Sequence, residues 1–208
     1  LGSIIFSKEI NENAPKIMIC AHMDEVGFIV RSISKDGMIH LMVVGGVKPL
    51  AQHLQKVRIT TESGVKIPAI INGTYKNEAT EDLYADIGAY TDEEVYNLGI
   101  QVGDMVTYAT EFEKFSLPNR LVGKAFDDRL GCFVMGEVLK NLDDKKLNSN
   151  IYFAATSSEE VGIRGAKTAA QLINPDVVFV IDVACHRNEF VRDHTNKKQI
   201  DKGVMLMH

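Results

Sequence analysis

The chain has 208 residues, of which 45% are hydrophobic, so it can bury a core large enough for one domain or two small ones. Its formal net charge is −5, and the lysines and arginines are scattered among the acids, which excludes nucleic acid as a partner. The longest apolar runs, such as residues 177–181, are far too short to span a bilayer, so no membrane contact is expected.

The first predicted element is a buried strand, KIMICAH, which runs from Lys16 to His22. Asp24 and Glu25 follow after Met23, and an apolar pattern resumes at Phe28. Burying three ionisable groups between two apolar runs costs free energy unless they are paired or bind a ligand. The rest of the sequence should therefore supply their partners.

A block from about Phe28 to Tyr108 alternates short apolar segments with turn residues, which predicts a small β-barrel or β-sandwich. The strand-like segments are GFIVRSIS, MIHLMVV, KVRIT, VKIPAIING and GDMVTYAT. A short helix is predicted at TDEEVYNLG, where Thr91 caps the first turn, Glu94 completes a capping box and Gly99 ends the helix.

From Leu121 onward, helices and strands alternate, which predicts a mostly parallel sheet covered on both faces. The segments are DDRLGCFVMGEVLKNL (helix), NIYFAAT (strand), RGAKTAAQLI (helix) and PDVVFVID (strand). In the long helix, one apolar face is predicted to contain Leu130, Phe133, Val134, Val138, Leu139 and Leu142. Because KIMICAH belongs to the same sheet, we expect an α/β domain formed by residues 1–28 and 117–208, with residues 29–116 inserted as the β-rich domain.

One histidine and several acidic residues follow the strands of this predicted sheet, at the edge where open α/β sheets bind ligands. They are His22 with Asp24, Glu159 with Glu160, Asp182, and, at the start of the long helix, Asp127 with Asp128. Each locus alone has an ordinary explanation, as a buried histidine, a helix cap or a first-turn acid. Together they form the imidazole and carboxylate set that divalent metal ions prefer, and one carboxylate can bridge two metals.

Six motifs in order, AHMDEVGF, DIGA, GIQVGD, AFDDRLG, SSEEVGIRGA and VID, resemble those of the glutamyl-aminopeptidase and tetrahedral-aminopeptidase family of dinuclear metallopeptidases. Members of that family are often labelled endoglucanase. The resemblance covers nearly the whole chain. It implies an α/β/α catalytic domain of the zinc-exopeptidase type, with an inserted small β-barrel used for dimerisation and hence a homo-oligomer.

The resemblance also implies the roles of individual residues. His22, Asp127 and Asp182 would bind one metal, and Asp127 with Glu160 the other, so that Asp127 bridges two zinc or cobalt ions. Glu159 would be the general base, Asp24 would orient the His22 ring, and Asp127 and Asp128 would be joined by a cis peptide bond. The implied function is a metal-dependent aminopeptidase that removes N-terminal residues from peptides with a metal-activated water.

Two other functions stay open at this point. A glycoside hydrolase needs two carboxyl groups flanking a sugar, but in that chemistry neither His22 nor a bridging carboxylate has a role. A non-catalytic metal-binding assembly module would use the barrel as its interaction surface.

Two further expectations concern the setting of the protein. Cys20, Cys132 and Cys185 are odd in number and lack CxxC spacing, which favours a reducing cytoplasm over a disulfide framework. The chain also ends at His208, before the region where the family keeps its last metal-binding histidine. We therefore expect it to be a piece of a longer protein, or only its ordered part.

Overall fold

The computed structural model describes residues 2–143, 146–184 and 203–204. The strands are β1 (Ile4–Lys8), β2 (Lys16–His22), β3 (Gly27–Ile33), β4 (Ile39–Val44), β5 (Gln55–Thr60), β6 (Lys66–Lys76), β7 (Ala79–Asp86), β8 (Met105–Tyr108), β9 (Glu113–Lys114), β10 (Leu121–Val122), β11 (Asn150–Thr156) and β12 (Val177–Val180). The helices are α1 (Asp92–Asn97), α2 (Phe126–Asn141) and α3 (Arg164–Ile173), and a 3-10 turn spans Pro49–Gln52.

The first sheet has four strands in the order β1, β11, β2, β12. Strands β11 and β12 run parallel to β2, whereas β1 pairs antiparallel with β11. Met18 of β2 packs in a cluster with Ala169 of α3, whereas Ala21 of the same strand packs in a cluster with Met135 of α2. Because residues an odd number apart on a strand point to opposite faces, the two helices cover opposite faces of the sheet. The sequence did not predict β1, whose Phe6 is 56% exposed at the sheet edge.

The apolar face predicted for α2 is only partly right. Leu139 packs against the sheet together with Met135 and Cys132, but Phe133 is 64% exposed and Leu130 is 46% exposed. Leu142 packs against the same cluster, whereas Val134 and Val138 are 38% and 37% exposed. The helix carries apolar residues on more than one face, so periodicity alone could not select the one that contacts β2.

The second sheet is a closed six-stranded barrel in the order β3, β4, β7, β6, β5, β8. Its interior is apolar and includes Phe28, Ile59 and Ile71, all of which are at most 2% exposed. The sequence did not predict β7, because Glu81 and Asp82 obscure the inward-facing Leu83 and Ala85. The remaining barrel strands lie where the sequence predicts them.

Three local predictions have clear outcomes. Helix α1 has the predicted capping box: the Thr91 side chain accepts a hydrogen bond from the Glu94 backbone, and the Glu94 side chain accepts one from the Thr91 backbone. Gly99, the predicted end of the helix, has a positive φ of 84°. The peptide bond between Asp127 and Asp128 is cis. Cys20 and Cys132 are free thiols, whereas Cys185 lies outside the described residues.

In the described part of the chain, no helix has the length and apolar character needed to cross a membrane.

Candidate metal centre

The carboxyl ends of β2, β11 and β12 lie side by side because these strands are paired in parallel. In the β2–β11 ladder His22 is opposite Thr156, and in the β2–β12 ladder Cys20 is opposite Val180. The chain therefore delivers His22 at the end of β2, Glu159 and Glu160 just after β11, and Asp182 just after β12. Asp127 reaches the same edge from the first turn of α2.

The His22 ring is buried, with 4% of the side chain exposed, and both of its nitrogens have oxygen neighbours. Nε2 lies 2.9 Å from Oδ1 of Asp127, and Nδ1 lies 3.0 Å from the backbone oxygen of Asp24. Burial lowers the pKa of His22, but the Asp24 carbonyl and the Asp127 and Glu159 carboxylates together raise it above its ordinary value.

This ring geometry fits either a protonated histidine or a bound cation. A carbonyl oxygen can only accept, so Nδ1 must carry a proton, and a neutral ring would then direct the Nε2 lone pair at the Asp127 carboxylate. The contact is favourable only if the ring is protonated or a cation lies beside both groups.

Two overlapping sets of ligand atoms converge on the same ring. In each set, the atoms lie within 4.8 Å of one another. One set combines His22 with Asp127 and Asp182, and the other combines His22 with Glu159 and Glu160. The donors are one imidazole and several carboxylates, a combination that fits a divalent metal ion.

Asp24 joins the histidine to the two glutamates. Its carboxylate accepts the backbone N–H groups of Glu159, at 3.1 Å, and of Glu160, at 3.2 Å. The same carboxylate is 3.6 Å from His22 Nδ1, farther than the Asp24 carbonyl. The main chain of Asp24 therefore holds the ring, while its side chain holds the turn that carries both glutamates.

Asp128 is completely buried beneath this edge, and its carboxylate binds backbone groups instead of joining the ligand sets around His22 as the sequence had suggested. It accepts the backbone N–H groups of His22, at 3.2 Å, and of Gly131, at 3.0 Å. Burial raises the pKa of Asp128 to about 6, against the opposing effect of those two bonds. A signal was present in DDRLG, because Gly131 stands three residues after Asp128, where only a small residue lets the carboxylate approach the helix.

A cleft of about 450 Å³ opens beside the ligand groups. It is lined by Glu25, Val26, Gly46, Tyr108, Thr110, Lys124, Ala125, Asp127 and Glu160. Tyr108 of barrel strand β8 and Asp127 of helix α2 thus border the same cleft. Burial in this region, followed by the nearby Asp127 charge, raises the pKa of Glu160.

Comparison with known proteins assigns the chain to a family. The sequence profile of the M42 glutamyl aminopeptidases matches residues 2–208. The chain belongs to this family. The glutamyl aminopeptidase of Lactococcus lactis is 35% identical over 225 residues, an alignment that covers 100% of this chain and 63% of the relative. The chain spans 53%, 63% and 54% of the length of three curated relatives, a putative aminopeptidase of Escherichia coli, the Lactococcus lactis enzyme and a lysyl aminopeptidase of Pyrococcus furiosus.

Solved structures show the same fold. An aminopeptidase from the archaeon Desulfurococcus kamchatkensis superposes with a TM-score of 0.87 at 34% identity, covering 97% of this chain and 57% of the other. The TET1 peptidase of Pyrococcus horikoshii, which can assemble into a tetrahedron or a large octahedral shell, gives 0.74 at 30% identity, with 87% and 56% covered. A Thermotoga maritima structure named endoglucanase gives 0.73 at 28% identity, with 94% and 58% covered. The family resemblance inferred from the six motifs is confirmed.

All six residues predicted for the site, His22, Asp24, Asp127, Glu159, Glu160 and Asp182, lie in the described part of the chain and at one edge of the sheet. Their individual roles stay predictions. The structure adds two contacts that the sequence analysis did not predict, the bond from the His22 backbone to the buried Asp128 carboxylate and the ion pairs of Glu25.

Proposed function

We propose that this M42 chain carries most of the catalytic centre of a metal-dependent aminopeptidase that hydrolyses N-terminal residues from peptides. The observation that carries the proposal is the buried His22 ring, whose Nε2 faces Asp127 of α2 at 2.9 Å, within a set of carboxylates that also come from the ends of β11 and β12. The names of the relatives, which include glutamyl and lysyl aminopeptidases, support the same reaction.

In this proposal, His22, Asp127 and Asp182 hold one divalent ion, and Asp127 with Glu160 holds a second. Bound zinc or cobalt would supply Lewis-acid polarisation of the scissile carbonyl and favour ionisation of water. The donor chemistry supports this assignment, because His22 can offer Nε2 while the Asp24 carbonyl fixes the proton on Nδ1.

Glu159 is proposed as the general base that takes a proton from water and later delivers it to the leaving amine. Its Oε2 lies 3.9 Å from His22 Nε2, and a third of its side chain is exposed, so it can reach both the ligand groups and solvent. Asp24 would keep it in place through the backbone bond at 3.1 Å.

We further propose the domain organisation that the sequence predicts, with an α/β/α domain of the zinc-exopeptidase type and an inserted barrel that forms subunit contacts. The barrel exposes apolar side chains, among them Met42 (51%), Ile70 (48%) and Met105 (62%), which supports an interface there. The shells formed by the Pyrococcus horikoshii peptidase support a homo-oligomer. A cytoplasmic location stays a prediction from cysteine usage.

The proposed activity is tested by assaying the full-length protein, loaded with zinc or cobalt, against a panel of aminoacyl-nitroanilides. We expect turnover of at least one substrate, loss of turnover with a chelator, and no turnover of the matching N-acetylated substrates. Failure to cleave any member of the panel would refute the proposal. Chelator-resistant hydrolysis of a β-glucan would instead support a glycoside hydrolase.

Gly45, which follows β4, supplies a prediction about the second ligand group. It has a φ of 81°, and a Cβ placed there would lie 2.9 Å from Val26 Cγ1 and 3.2 Å from Glu160 Cβ. We expect Gly45→Ala to displace Glu160 and to weaken zinc binding about tenfold, as changes next to metal ligands do. Isothermal titration of the metal-free protein with zinc measures this.

Gly64→Ala is the matched control, because Gly64 has a φ of 82° but, apart from its chain neighbours, no atom of the described residues lies within 4 Å of the added Cβ. Both variants should lose about 1 kcal/mol of stability from the left-handed backbone. Only Gly45→Ala should change zinc binding, and equal zinc affinities in the two variants would contradict the prediction.

A further inference from the structure

Glu25 and Lys124 line the 450 Å³ cleft, and Glu25 forms ion pairs with both Lys124 and Arg129. Glu25 Oε1 lies 2.5 Å from Lys124 Nζ and 3.6 Å from Arg129 Nη2. The Glu25 side chain is only 15% exposed and that of Lys124 28%. A carboxylate that is largely removed from water needs such partners, so this cluster differs from an ordinary surface ion pair.

The three residues come from the places where the chain leaves the α/β sheet and returns to it. Glu25 lies between β2 and β3, where the chain enters the barrel, and Lys124 lies between β10 and α2, where it comes back. Arg129 is in the first turns of α2 and also donates from Nε to the Met23 backbone oxygen, at 3.0 Å. The cluster therefore links the β2–β3 connection to the β10–α2 connection and to helix α2.

Asp127 lies between Lys124 and Arg129, in a segment whose backbone is not regular helix. Ala125 has a φ of 59°, and the φ and ψ angles of Asp127 (−82° and 106°) and Asp128 (−122° and 36°) are not helical. The Asp127 side chain is 59% exposed, so burial does not fix its direction. The bonds of the buried Asp128 carboxylate hold the chain on one side of Asp127, and the ion pair of Lys124 with Glu25 holds it on the other.

We propose that Glu25 is a positioning residue, which holds Lys124 and Arg129 so that the Asp127 carboxylate stays aimed at His22 and the metal ions. This inference rests on the proposed function only in assuming that Asp127 is a metal ligand. Without the Glu25 charge, the Lys124 side chain loses its ion pair and is expected to turn toward solvent. The backbone from Lys124 to Arg129 would then sample more conformations.

The test is a zinc titration of the metal-free, full-length protein, with kcat and KM measured in parallel. We expect Glu25→Gln to weaken zinc binding about 10- to 100-fold, the range found when a partner of a metal ligand is lost. Turnover at subsaturating zinc should fall in parallel, while KM at saturating zinc changes less than about twofold, because Glu25 is expected to act through Asp127.

Asp92→Asn is the matched control. Asp92 is also 15% exposed and pairs with Lys35 at 2.6 Å, but it lies in α1 beside the barrel. This variant should bind zinc as the unsubstituted protein does. Lys124→Arg, which keeps the charge, should retain most of the zinc affinity that Lys124→Met loses. The double variant of Glu25→Gln and Lys124→Met should lose no more zinc affinity than whichever single variant binds zinc more weakly.

Two results would overturn the inference. One is zinc affinity in folded Glu25→Gln equal to that of Asp92→Asn, and the other is a combined variant whose loss is the product of the two single losses. If Glu25→Gln does not fold, the comparison of Lys124→Met with Lys124→Arg decides the question in the same way. The aminopeptidase proposal fails separately, through absence of peptide turnover in the unsubstituted protein, whatever the ratio of zinc affinities.

Discussion

Glu159→Gln is expected to lower turnover by at least about 100-fold and to leave the metal content close to that of the unsubstituted protein. Glutamine keeps the shape of the side chain but cannot accept a proton from water. The backbone bond from Glu159 to Asp24, at 3.1 Å, does not depend on the side chain, so the turn should keep its conformation. Steady-state kinetics together with metal analysis of the purified variant measure both effects.

The control for this prediction is Glu160→Gln, made at the neighbouring position. Glu160 shares the Asp24 anchor, at 3.2 Å, but is proposed as a metal ligand, so this variant should lose metal as well as activity. Both glutamates lie in one ligand group with His22, so geometry alone does not divide their roles. Loss of both metals in Glu159→Gln would show that the two roles are exchanged.

Gly131→Ala should have the largest effect on stability. An added Cβ would lie 2.5 and 2.6 Å from the two Asp128 carboxylate oxygens and 2.9 Å from Ala21 Cβ, all in a buried region. Overpacking costs about 1–3 kcal/mol, and the Asp128 bonds to His22 and Gly131 would be lost for about 1–3 more. Alanine returns about 1 kcal/mol through its helix propensity, which leaves a net loss of about 3 kcal/mol.

Urea unfolding of the metal-free protein measures this loss, and Gly136→Ala in the same helix is its control. Among the described residues, no atom beyond the neighbouring backbone of the helix lies within 4 Å of a Cβ at Gly136, so that variant should gain up to about 1 kcal/mol from helix propensity alone. If Gly131→Ala unfolds at the same urea concentration as Gly136→Ala, the buried Asp128 contacts do not support the sheet edge as described. Zinc binding should weaken in Gly131→Ala only, because Asp128 holds the backbone of His22.

The elements that the sequence predicted best have strong local signals. KIMICAH became β2, NIYFAAT became β11 and RGAKTAAQLI became α3 with the same bounds, because apolar runs and helical periodicity agree with flanking turn residues. The acids at the strand ends were also visible, since parallel strands bring their carboxyl ends to one edge whatever the details of packing. The barrel followed from its turns, although β7 was hidden by its charged residues.

Only the tertiary structure decided how the residues at that edge hold one another. Asp24 bonds to the backbone of Glu159 and Glu160, and Asp128 bonds to the backbone of His22, across more than a hundred residues of sequence. These contacts depend on strand register and on the irregular backbone at Ala125 and Asp127, neither of which has a local pattern. The sequence by itself therefore determined which chemical groups are available and at which edge they meet. Their partners and distances were decided by packing, because a hydrogen bond forms only when the fold has brought both of its atoms within about 3 Å.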